Sequence, residues 1–143
     1  MNVLLLAMGQ AAPGEALVAG VRALRGAGAT VHLVSRAAPS PGLAAALDDV
    51  VVVGTRAREL RLPGRVRLPR PLAPLRKLHA DPGRLACAVR VCFGGRTADR
   101  VACADVLVAV DEAALPAVWL AARRNRSAAA LDGVPAAVTR LAG

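Results

Sequence analysis

The chain has 143 residues, of which 55% are hydrophobic, 20% charged and only 1% aromatic. That length fits one domain of ordinary size, and the apolar fraction excludes a disordered chain. Its Gly and Pro are scattered, which excludes a collagen-like or linker sequence, and a formal net charge of +9 raises the question of an anionic partner.

The first element is the continuous apolar run Val3 to Met8, which stops at Gly9. Continuous rather than alternating apolarity predicts a strand covered on both faces, as in a parallel sheet. Pro13 to Gly28 reads as a helix, with Pro13 in its first turn, an apolar stripe of Leu17, Val21 and Leu24, and Gly26 and Gly28 closing it. Ala29 to Ser35 is a second strand, rich in β-branched residues. After a turn at Pro39 to Gly42, Leu43 to Leu47 is a short helix, and Asp49 to Gly54 is a third buried strand. An Arg/Pro-rich insert at about 55–77 follows, and Asp81-Pro82 opens a helix through about Phe93. Gly94-Gly95 interrupts it, and Arg96 to Ala104 adds a second helical piece. Asp105 to Asp111 is the clearest strand, and Glu112 to Arg124 the clearest helix, with Leu115, Val118, Trp119 and Ala122 on one side. Pro116 in its first turn and Arg123, Arg124 and Arg126 near its end suit the helix termini. Ala128 to Leu131 is a weak fifth strand and Pro135 to Leu141 a final helix.

This alternation predicts a single α/β domain over residues 1–143. It is a three-layer, Rossmann-like parallel sheet of about five strands in the order 3-2-1-4-5, with right-handed crossovers and helices on both faces. No run approaches the roughly 18 apolar residues of a membrane span. Val3 to Met8 is too short, and lacks the basic flank, to be a signal peptide.

All basic residues but Lys77 are Arg, a bias that a GC-rich coding sequence also produces. Within the insert, Arg56, Arg58, Arg61, Arg65, Arg67, Arg70, Arg76 and Lys77 are opposed only by Glu59. Single-stranded nucleic-acid binders pair such a stretch with aromatic platforms, and this one has none, which disfavours nucleic acid. Its prolines exclude a continuous basic helix. Cys87, Cys92 and Cys103 match no zinc spacing and read as small buried apolar residues in a reduced, cytoplasmic setting. With His32 and His79 the only histidines, no metal site is expected.

In a doubly wound sheet, ligands bind beyond the carboxyl ends of the strands, at the switch point between strands one and four. Two segments fall there. Gly9-Gln10-Ala11-Ala12-Pro13-Gly14 joins strand one to its helix, where Gly9 and Gly14 permit close backbone approach and a helix N-terminus favours an anion. Its spacing is neither the dinucleotide fingerprint nor a P-loop, so a plain tight turn is the competing reading and no cofactor is expected. Asp111-Glu112 ends strand four. Its carboxylates could accept hydrogen bonds from sugar hydroxyls, act as a base, or simply cap the next helix. Arg36 ends strand two, where an arginine could suit a 2′-phosphate. Trp119 reads as core, and no Ser-His-Asp set exists.

Val3 to Gly14, the helix Leu17 to Leu24 and strand two, Val31 to Arg36, are similar to the N-terminal lobe of GT-B glycosyltransferases. Ala104 to Asp111 followed by a helix with Trp119 resembles the cleft-facing strand of that lobe, and Gly133 to Ala137 its close. The resemblance implies an acceptor-holding lobe, with Gly9, Gln10 and Gly14 on the loop facing the cleft and Asp111 at the end of a cleft strand. It also implies a small-molecule sugar acceptor. The nucleotide-sugar-binding lobe is not found before Gly143, so the expectation is a half-unit that is not catalytic alone and needs a second Rossmann-like lobe or subunit. The alternative expectation is a small non-enzymatic module that binds an anionic partner through the basic insert.

Overall fold

The computed structural model describes residues 1–9, 13–53 and 82–142, so the basic insert lies outside the described residues. The described elements, in chain order, begin with β1 (Asn2–Ala7), α1 (Ala16–Gly26), β2 (Thr30–Ser35), α2 (Pro41–Ala46) and β3 (Asp49–Val52). Helices α3 (Pro82–Phe93) and α4 (Gly95–Cys103) follow, then β4 (Val106–Ala109), a 3-10 turn (Glu112–Ala114), α5 (Leu115–Arg124), β5 (Ala129–Asp132) and α6 (Val134–Ala142). The five strands form one parallel sheet in the order β3-β2-β1-β4-β5, as the sequence predicts. Chain direction across the sheet reverses between β1 and β4, so the switch point lies between them.

The sheet explains the unbroken apolar runs. Leu4, Leu6 and Met8 point into one core with Leu107, Val91, Cys92, Val101, Ala117, Val118 and Ala121, under α3, α4 and α5. Val3, Leu5 and Ala7 point into the opposite core with Val18, Val21, Leu24, Leu43, Val134 and Ala137, under α1, α2 and α6. A strand with helices on both faces has no solvent side, so period-two alternation has no role. The result is a three-layer, Rossmann-like α/β fold.

Several sequence expectations need correction. Helix α1 starts at Ala16, not Pro13, because the Pro13 carbonyl accepts from the Ser40 amide at 3.1 Å instead of joining the helix. Its buried face is Val18, Val21 and Leu24, with Leu17 at the margin. It closes at Gly28, whose φ of 81° is the left-handed region that glycine favours. The Gly28 amide donates to Arg25 and the Ala29 amide to Leu24, the paired bonds of a Schellman ending. Helix α2 begins earlier than expected, at Pro41, because Ser40 caps it by accepting from the Leu43 amide at 3.3 Å. Strand β3 is a half-buried edge strand rather than a fully buried one, and Val52 is exposed.

The largest correction concerns α5. Its buried face is Pro116, Ala117, Val118 and Ala121, while Leu115 and Ala122 sit at the margin. Small residues face α3, where helix packs on helix. Trp119 is half-buried and outside the core clusters, with the Arg123 guanidinium 4.9 Å from its ring centroid. Cys87 and Cys92 are buried, as expected, but Cys103 is exposed at the end of α4. Burial pushes the Cys92 thiol up to about 12, against the opposing pull of Arg124.

Candidate functional site

The ends of β1, β2 and β4 meet at one edge of the sheet. Ala7 pairs with Ser35 and Leu6 with Ala109. The ladder runs on by one bond on each side, from the Arg36 amide to the Ala7 carbonyl at 3.1 Å and from the Val110 amide to the Leu6 carbonyl at 2.9 Å. Gly9, Arg36 and Asp111 therefore leave the sheet together, around the switch point.

Asp111 spans that point. Its Oδ1 accepts from the Ala114 amide at 2.9 Å, which caps the 3-10 turn, and from the Met8 amide at 3.3 Å. Its Oδ2 accepts from the Gly9 amide at 2.9 Å. One carboxylate thus ties the turn after β4 to the end of β1 and satisfies three backbone donors that neither strand can serve. Gly9 is fitted to it, since a Cβ there would lie 3.2 Å from Asp111 Oδ2. The capping of Ala114 is visible in the sequence as an Asp before a helical start. The bonds to Met8 and Gly9 are not, because more than a hundred residues separate the partners.

Arg36 is half-buried at the end of β2. The Ser35 hydroxyl beside it is already committed, donating to the Ala37 carbonyl at 2.7 Å, and this bond fixes the bend that carries Arg36. Among the described residues, Arg36 Nε is buried and has no hydrogen-bond partner. Glu112 is exposed on the 3-10 turn. Gly14 is exposed too, with open space where a Cβ would stand, so packing does not demand glycine there. Gln10 lies outside the described residues.

Other acidic groups near this edge are turned elsewhere. Glu15 Oε1 accepts from the Ser40 hydroxyl at 2.6 Å, which couples the start of α1 to the cap of α2. Glu15 is also the N-cap residue of α1, so its carboxylate stands at the positive end of that helix's dipole.

Two concavities lie away from this edge. A groove of about 310 Å³ between α1 and α2 is lined by Arg22, Arg25, Gly42, Ala45 and Ala46. Its Arg25 is already paired with Asp48 at 3.1 Å and donates to the Ala46 carbonyl at 3.1 Å. A cavity of about 50 Å³ lies beside Asn2, Leu4, His32, Arg100 and Cys103, where Arg100 also pairs with Asp49 at 2.8 Å. It has room for a few waters.

Comparison with protein-family models, with curated proteins and with solved structures finds no match. Among the described residues, no group of three or more His, Cys, Asp or Glu could hold a metal ion. No helix among them is long and apolar enough to cross a membrane.

Proposed function

We propose that this chain is the acceptor-side lobe of a GT-B glycosyltransferase-like unit and works with a second Rossmann-like lobe or subunit that holds the nucleotide sugar. One observation carries the reading. Three of the sequence stretches that resemble that lobe, Val3 to Gly14, Val31 to Arg36 and Ala104 to Asp111, supply the adjacent strands β1, β2 and β4, which end side by side at one edge. That is the edge at which doubly wound sheets take their ligands. Asp111 supports a holding role over a chemical one. Its two oxygens already accept three backbone N–H bonds, so it is poorly placed to collect a proton from an acceptor hydroxyl.

The test is calorimetric titration of the chain with UDP-glucose and GDP-mannose, alongside amide spectra recorded with a panel of sugars and sugar phosphates. The expected result is no donor binding, with sugar-type acceptors moving the amides of Gly9, Arg36 and Val110. Tight binding of either nucleotide sugar by the isolated chain overturns the acceptor-side reading. Salt-dependent nucleic-acid binding, lost on neutralising Arg56 through Arg70, would favour the anionic-partner module instead.

A further inference from the structure

We infer that the molecule held at this edge carries an anionic group, a phosphate or a carboxylate, and that Arg36 anchors it. The inference deepens the acceptor-side reading and rests on it for where the ligand sits.

Several other arginines of this fold have partners. Arg25 pairs with Asp48, and Arg100 with Asp49. Arg124 donates to the Cys92 carbonyl at 2.7 Å and lies 5.0 Å from the Phe93 ring centroid, while Arg123 covers Trp119. Arg36 differs: it is half-buried, its Nε is buried without a partner, and no described residue accepts from its guanidinium. A guanidinium offers five donors in a planar fork, and a buried donor without an acceptor is rare in folded proteins unless a water, ligand or ion completes it.

Position agrees with this. Arg36 follows the Ala7–Ser35 pair and is held by its own amide on the Ala7 carbonyl, so it stands on the ladder rather than on a free loop. Two carboxylates at this end of the sheet already have hydrogen-bond donors, while Glu112 is exposed. Asp111 serves backbone amides, and Glu15 serves the Ser40 hydroxyl. A planar fork of this kind matches the oxygens of a phosphate or carboxylate in pairs.

The experiment compares wild type, Arg36→Gln and Arg36→Lys by two-dimensional NMR, following the amides of Gly9 and Val110 and, in wild type, the Arg36 Nε–H signal. The probes are glucose, glucose 6-phosphate, glucuronate and inorganic phosphate. An anionic sugar is expected to bind about tenfold or more tighter than glucose, to shift the Arg36 Nε–H, and to lose about tenfold or more in Arg36→Gln, with partial retention in Arg36→Lys. Glucose 6-phosphate against glucuronate tells phosphate from carboxylate. The melting temperature of Arg36→Gln is expected to equal or exceed that of wild type, because no described partner is lost and an unpaired buried donor is removed.

Equal binding of glucose and the anionic sugars, equal binding by Arg36→Gln, or no anion binding at all overturns the inference. The first two outcomes leave the acceptor-side reading standing. That reading fails separately, through tight nucleotide-sugar binding, and a simultaneous dependence on Arg36 would keep the anion anchor while reassigning the ligand.

Discussion

Asp111 shows how one side chain can hold two ends of a parallel sheet. Oδ1 faces the Ala114 and Met8 amides and Oδ2 the Gly9 amide, so every contact requires an acceptor. Asp111→Ala is expected to cost about 2 kcal/mol in urea unfolding, as several part-buried amides lose a charged acceptor. Asp111→Asn keeps one oxygen and turns an NH₂ toward the other amides, so about half that loss is expected. A carboxylate working only as a base would leave stability unchanged in both variants. His32 gives a pH dependence of definite sign. Burial, helped by Arg100, holds its imidazole below the ordinary 6.5, against the pull of Asp49 and Asp48. The unfolded chain therefore binds a proton there more readily than the folded one. The His32 contribution is flat above about pH 6.5 and becomes destabilising as pH falls through that value toward the lower folded pKa. Urea midpoints at pH 7.5 and 5.5 should differ less in His32→Gln than in wild type.

Among the elements, the joint between α4 and β4 depends on Asn125, which sequence patterns did not single out. Asn125 is buried after α5, and its Nδ2 donates to the carbonyls of Val101 and Ala104, each at 2.8 Å. Those carbonyls belong to the end of α4, where intrahelical donors run out. Its Oδ1 in turn accepts from the Ser127 hydroxyl at 2.6 Å. Asn125→Ala takes its donor from the Ala104 carbonyl and leaves Val101 with only the 3.4 Å bond from the Ala104 amide, and should cost about 2 kcal/mol, read as a lower unfolding midpoint. The contact of α1 with α6 is equally close. A Cβ on Gly20 would meet Val134 Cγ1 at 2.5 Å, so Gly20→Ala overpacks this joint and is expected to lose about 1–2 kcal/mol despite its better helix propensity. The sequence pattern predicts α5 but turns its stripe toward Trp119, since hydrophobicity favours the large ring. The face that is buried is the one small enough to lie against α3, and that is a property of two helices together.

For the molecule as a whole, the sheet divides the interior into two cores that share no side chains. Val91→Ala on one side and Val21→Ala on the other should each cost about 2 kcal/mol, and the double variant should show their sum to within about 0.5 kcal/mol. A clear departure from additivity would mean that the sheet transmits repacking between the faces. The strand order was readable from the chain because unbroken apolar strands alternating with helices leave few topologies once crossovers are right-handed. The switch point, and with it the location of Gly9, Arg36 and Asp111, followed from that order. What those residues do there was not readable. Asp111 is bound to amides a hundred residues away, and Arg36 is distinguished only by the partner it lacks, and both facts exist only once β1, β2 and β4 lie side by side. Local periodicity and turn chemistry act over a few residues, so the chain itself sets its elements and their order. Long-range hydrogen bonding and burial decide which polar groups are already satisfied and which, like Arg36, are left for a ligand.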